Sequence, residues 1–111
     1  MLFLHDNGTI KLTRGDTASL TIAITDVAGE NRYELSDGDT LTMSVKHSIN
    51  DSDYCFQKKV IGASVFHILP EDTRDMRFGR YKYDVQLTTD GGDVCTIIGP
   101  CTFELLEEVT V

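Results

Sequence analysis

Thiols, imidazoles and paired carboxylates are the side chains through which this chain could do chemistry, and along the sequence they are scattered. Cys55, Cys95 and Cys101 include no C-x-x-C spacing, so neither a zinc ribbon nor a dithiol redox motif can be read from them. Their odd number leaves one over if the other two bond. The plain reading is three small hydrophobes in a protein folded in a reducing cytoplasm. His5, His47 and His67 lie in three different segments. A zinc site would need a fold that gathers them with carboxylate or thiolate partners. Cys55 with His47 or His67 could form a nucleophile–base pair, yet no third, orienting group stands at a recognisable position. The expectation is no catalytic residue, no metal ligand and no cofactor.

Carboxylates come in pairs: Asp37 with Asp39, Asp51 with Asp53, Glu71 with Asp72, Asp90 with Asp93, and Glu107 with Glu108. Glycoside hydrolysis needs two carboxyls facing each other across a cleft. These pairs sit in loops, where aspartate is favoured because it hydrogen-bonds local backbone. Asn50-Asp51-Ser52-Asp53 offers hard oxygens at alternate positions but lacks the glycine and distant glutamate of an EF-hand loop. Arg14-Gly15-Asp16 matches an integrin-binding tripeptide but reads as a strand-opening turn. The glycines form neither a P-loop nor a dinucleotide fingerprint. An exposed aromatic platform for sugars or bases could draw on Phe3, Tyr33, Tyr54, Phe56 or Phe78. Tyr54 and Phe56, beside a polar loop, are the binding candidates.

Ten basic against eighteen acidic residues give a formal charge of −8. That sign argues against a nucleic-acid partner and against an anionic membrane surface. With 111 residues, 41% hydrophobic and 25% charged, the chain reads as one soluble domain over 1–111. A chain this long can bury roughly 65% of the surface it exposes unfolded, enough to fold without metal or disulfide. Met1-Leu2-Phe3-Leu4 is followed at once by His5-Asp6-Asn7-Gly8, which leaves no signal-peptide core.

Turn signals recur every eight to twelve residues, the spacing of an all-β sandwich or barrel. Candidate strands lie near 9–12, 18–25, 33–35, 40–47, 55–60, 64–69, 79–88, 93–98 and 101–106. The last two form one strand if the chain only bends at Gly99-Pro100, and the proline makes that segment an edge. Leu20, Ile22 and Ile24 share one face, as do Leu41, Met43 and Val45, opposite Thr42, Ser44 and Lys46. Phe66 and Ile68 point inward, leaving His67 outside. Gly15-Asp16-Thr17 and Gly38-Asp39-Thr40 each read as a glycine at positive φ before an aspartate that accepts turn N–H groups. Residues 70–76 allow at most one short helical turn, with Met76 or Phe78 plugging the end of the fold.

From 79 to 87, Tyr81, Tyr83, Val85 and Leu87 alternate with Lys82, Asp84 and Gln86. A tyrosine opening such a strand after a polar turn suits the corner of an immunoglobulin-like sandwich, its ring inside and its hydroxyl on turn backbone. The expected fold is therefore an all-β, immunoglobulin-like antiparallel β-sandwich of seven to eight strands.

With these segments placed, the chain resembles small phage and prophage proteins that share the immunoglobulin-like N-terminal domain of the phage baseplate upper protein. The resemblance runs through Arg14-Gly15-Asp16-Thr17, then Tyr33-Glu34-Leu35-Ser36-Asp37-Gly38-Asp39-Thr40-Leu41, then Lys58-Lys59. It continues through Ile68-Leu69-Pro70-Glu71-Asp72-Thr73 and Gly79-Arg80-Tyr81-Lys82-Tyr83-Asp84-Val85-Gln86-Leu87, and ends with Thr96-Ile97-Ile98, Phe103 and Glu108-Val109-Thr110. It implies a non-enzymatic structural module of a tail or baseplate, contacting other virion proteins and repeated as a homo-oligomer. The corresponding location is the bacterial cytoplasm during assembly and then the virion tail. The alternative is a carbohydrate- or host-surface-binding sandwich, which would need exposed aromatics such as Tyr54 and Phe56 on one face.

Overall fold

The computed structural model describes residues 2–4, 8–22 and 35–107. Its elements are β1 (Leu2–Leu4), β2 (Ile10–Thr13), β3 (Ala18–Thr21), β4 (Thr40–Lys46), β5 (Phe56–Ile61), β6 (Val65–Ile68), α1 (Pro70–Thr73), β7 (Gly79–Thr88) and β8 (Val94–Leu106). Six strands form a curled sheet in the order β1-β2-β8-β7-β4-β5, and β3 pairs with β6 in a second, small sheet. Among the described residues the fold is all-β apart from one helical turn. The proposed continuation at 23–25, most of 33–35, and His5 and Glu108 lie outside the described residues.

Alternation places the core. Ile10 and Leu12 of β2, Leu41, Met43 and Val45 of β4, and Phe103 and Leu105 of β8 are buried on the inner face of the large sheet. Tyr81, Tyr83, Val85 and Leu87 of β7 join them. Leu20, Phe66 and Ile68 of the small sheet, with Ile22 just beyond β3, complete one hydrophobic cluster. His67 faces outward, and its Nδ1 lies 3.1 Å from Ser19 Oγ. Burial of each such large side chain contributes about 1.5–3 kcal/mol.

The strand expectations need two corrections. The large sheet is mixed: β2 runs parallel to β8, with Ile10 beside Phe103 and Thr13 beside Leu106. Residues 93–98 and 101–106 form one continuous strand, the reading in which the chain only bends at Gly99-Pro100, and its edge assignment is the second correction. Gly99 and Pro100 bulge opposite the single residue Asp84, between the pairs Val85–Ile98 and Tyr83–Cys101. A bulge accommodates proline because the ladder is already interrupted there. Edge character holds for only part of β8. Among the described residues its first half pairs with β7 alone, whereas 103–106 lie between β7 and β2.

The two aspartate turns also differ from each other. Gly15 has φ 86, the left-handed conformation expected of it. Gly38 is not at positive φ, and its small size is needed for another reason. A Cβ there would stand 2.3 Å from Asp90 Oδ1. Beside it the Asp39 carboxylate, 2% exposed, accepts the N–H groups of Ser36 and Asp90, each at 3.0 Å. The Asp39 carbonyl accepts the Gly62 N–H at 2.8 Å. One aspartate thus ties together three loops at one end of the molecule.

The opposite end is closed around residues 70–81. Asp72 accepts the Leu69 N–H at 2.7 Å and pairs with Lys58 Nζ at 2.7 Å. Buried Thr73 accepts the Gly15 N–H at 3.0 Å. Met76, not Phe78, plugs this end; Phe78 stays partly exposed beneath the Arg14 guanidinium, 4.4 Å from its ring centroid. Tyr81 is 5% exposed and its hydroxyl donates to the Arg77 carbonyl at 2.6 Å. Tyr83 donates to the Gly8 carbonyl, which anchors the β1–β2 connection to the middle of the sheet. Burial, and then the neighbouring Cys101, push the Tyr83 phenol up to about 12.

Candidate functional site

Two clefts and one strand edge are the places where this fold could engage something else. The first cleft lies at the Tyr81 end and has a volume of about 480 Å³. It brings together His47, Cys55, Glu71, Asp72 and Asp75, so one of the two cysteine–histidine combinations does share a cavity. The ring of His47 meets Tyr81 edge-on, with centroids 5.6 Å apart. The electrostatics oppose nucleophilic use. Burial, and secondarily the Asp51 charge, raise the Cys55 pKa and hold it as a thiol, whereas an activated cysteine needs the reverse. Among the described residues no three histidine, cysteine or acidic side chains converge as a metal-binding group.

Of the loop carboxylates, Asp39, Asp51 and Asp72 each accept a nearby backbone N–H. Asp51 accepts the Ser48 N–H at 3.1 Å, and the Asn50 N–H donates to Ser48 Oγ at 3.2 Å. The 50–53 segment is thus folded as a turn, with its best ligand turned inward on the chain. Arg14-Gly15-Asp16 is likewise built into the fold, through the Arg14–Phe78 contact and the Gly15–Thr73 bond. The three cysteines are thiols with no disulfide between them.

The second cleft, about 270 Å³, opens on the outer face of the large sheet. Its floor is the outward set of three neighbouring strands: Thr42, Ser44 and Lys46 of β4, Gln57 of β5, and Lys82, Asp84 and Gln86 of β7. Ile49 and Tyr54 of the β4–β5 connection form one wall, and Pro100 at the β8 bulge forms another. Gln57 Nε2 donates to Ser44 Oγ at 2.9 Å, which fixes part of the floor.

Tyr54 is 52% exposed, as a binding aromatic should be. Phe56 is not beside it. In the β4–β5 ladder it stands opposite Val45, on the core side, and its ring meets Phe103 edge-on at 5.9 Å. The two candidates therefore do not make a joint platform. Sequence reasoning missed the cleft floor as a site because its residues read only as the solvent side of alternating strands. The pattern does not show which of them stand abreast.

The edge is β8 over residues 94–100. From 94 to 103 the sequence has no charged residue, although a quarter of the chain is charged. Val94 is 63% exposed and Cys95 and Thr96 are also exposed. The other long strand at a sheet boundary, β5, carries Lys58 and Lys59. Lys58 projects from the core side opposite Met43, a position from which a charge obstructs a further strand.

Among the described residues no helix is long and apolar enough to cross a membrane. No protein-family model matches the chain, and no curated protein matches it.

Proposed function

We propose that this chain is a non-enzymatic assembly module with an immunoglobulin-like fold, serving in a phage or prophage tail or baseplate. The immunoglobulin-like reading is supported by the buried Tyr81 bonded to backbone four residues earlier, and by a small β3–β6 layer across the core from the larger sheet. The tail assignment draws on the sequence resemblance. The observation that carries the assembly role is the uncharged edge of β8. Natural sheets protect such edges with charge, cover or bulges, because bare N–H and C=O groups recruit another strand. Here β5 is guarded by lysines, while among the described residues the first half of β8 has no charge and no second strand beside it, only the irregularities at Ile97 and Gly99-Pro100. A strand from a neighbouring subunit would add to β8 through main-chain bonds, and symmetric copies would repeat the contact.

The test is a pair of edge lysines, Val94→Lys with Cys95→Lys. Both positions are exposed, so the variant should keep its β-sheet circular dichroism. It should lose self-association in sedimentation and lose incorporation when co-expressed with the tail genes that neighbour its own. A folded variant that assembles like the wild type would refute the edge-docking role.

A further inference from the structure

We propose that the outer-face cleft binds an acidic saccharide, with Lys46 and Lys82 each meeting an anionic group from its own side of the cleft and Tyr54 lying against a sugar ring. Lys46 and Lys82 are direct cross-strand partners on β4 and β7. Like charges in that relation destabilise a ladder pair. One row along the same face, Arg80 is matched by Glu104 at 3.5 Å. The lysine pair has no such match: among the described residues no carboxylate lies within ion-pair distance of either. Lys46 Nζ donates to the Asp51 carbonyl at 2.9 Å and stands 5.2 Å from the Tyr54 ring centroid. Lys82 Nζ reaches Thr102 Oγ1 at 3.3 Å. Both ammonium groups are thus positioned by neutral acceptors and keep further donors available. Lys46 reaches toward the β4–β5 connection and Lys82 toward β8, so the cleft has one cation on each side and, with Asp84 as its one carboxylate, stays net positive in a chain of eighteen acidic residues against ten basic.

The surroundings narrow an anionic ligand here to a saccharide. Ser44 and Gln57, with Gln86, present hydroxyl and amide groups that both donate and accept, as sugar hydroxyls require. Asp84 is the one carboxylate lining the cleft, and it can accept from a sugar hydroxyl while two lysines keep the site net positive. A volume of about 270 Å³ lies just below the usual range of ligand sites, suiting one or two sugar rings rather than a folded peptide. The half-exposed Tyr54 ring supplies an apolar face for the carbohydrate C–H groups.

The full chain would be titrated, by NMR and calorimetry, with galacturonic acid trimer, the corresponding neutral galactose trimer, and a glutamate-rich peptide. The acidic trimer should bind and shift the amides of Lys46, Tyr54 and Lys82, with affinity falling as salt rises. Lys82→Gln or Lys46→Gln should weaken it about tenfold or more, the scale of one charge-assisted hydrogen bond. Tyr54→Ala should weaken it as well, and all three variants should unfold at the wild-type temperature. No binding of the acidic trimer at millimolar concentration would overturn the proposal. So would equal binding of the neutral trimer, tighter binding of the peptide, or full affinity in folded lysine variants. The site is separate from the 94–95 edge, so Val94→Lys with Cys95→Lys should leave sugar binding intact.

Discussion

Replacing Asp39 by alanine should be among the most damaging single changes outside the apolar core. The carboxylate is buried and satisfies the Ser36 and Asp90 N–H groups, each at 3.0 Å. A hydrogen bond to a charged acceptor contributes about 1.5–3 kcal/mol net. Ser36 and Asp90 themselves are exposed, so water can recover part of the loss at both amides. The expected cost is therefore about 2–4 kcal/mol, out of the roughly 5–15 kcal/mol that holds a domain of this size together. At about 4 °C per kcal/mol, the melting temperature should fall by roughly 8–16 °C. Asp39→Asn keeps one acceptor but turns an NH2 group toward the other amide, and should cost about half as much. Urea unfolding should show a lower midpoint with an unchanged slope, since the surface exposed on unfolding is the same. Hydrogen exchange should accelerate at the Asp90 amide in the native state. An alanine variant within about 0.5 kcal/mol of wild type would refute the assignment of Asp39 as the tie between these loops.

Tyr81→Phe removes only the bond to the Arg77 carbonyl and should lower stability by about 1 kcal/mol, read as a melting shift. Tyr83 sets an alkaline limit: its phenol ionises at 10 in an ordinary setting and at about 12 here, so the native state holds the proton more tightly. That stabilisation is complete below pH 10 and is lost as pH rises toward about 12, and Tyr83→Phe should flatten the alkaline decline in chemical denaturation. Gly38→Ala should destabilise by pushing the Asp90 side chain aside, and Asp90→Gly in the same chain should restore most of the loss. Leu105→Lys should prevent folding outright, because it puts a charge on a fully enclosed core position of β8.

Much of this fold can be read from period-two alternation, where each strand has a greasy and a wet side. Leu41, Met43 and Val45, and likewise Tyr81 through Leu87, are placed as their alternation requires. So is the inward pair Phe66 and Ile68. Alternation fails at β5, whose core side reads Phe56, Lys58, Val60. The lysine in the middle conceals the apolar set, so Phe56 looks available for binding when it is packed on Phe103. Pairing is the other hidden quantity. Nothing local in Ile10–Thr13 says that it will lie parallel to β8, because that contact closes a loop of most of the chain. For the same reason the lysines of the proposed saccharide site, thirty-six positions apart, become neighbours only once β4 and β7 are registered. The glycine before Asp39 is legible as a turn residue, but the close approach of Asp90 that demands it is a tertiary fact.

The division of labour within β8 explains why its proposed docking role calls for point changes rather than removal. Phe103 and Leu105 are fully enclosed, and the backbone around them is bonded on both sides, to β7 and to β2. Deleting the strand would open a cavity where two large side chains now pack, and would cost several kcal/mol before any partner was involved. The half before Pro100 adds partly buried Ile97 and Ile98 to the rim of the core, and among the described residues its exposed Val94 and Cys95 pair with β7 alone. The Gly99-Pro100 bulge separates the two behaviours. On one side of it the strand is interior structure; on the other it is, among the described residues, an uncharged ladder edge, in a chain that guards its boundary strand β5 with lysine. A purely structural edge would have gained from a charge in that stretch at almost no cost in stability. Its absence from 94 to 100 is the feature that a docking role accounts for and that solubility alone does not.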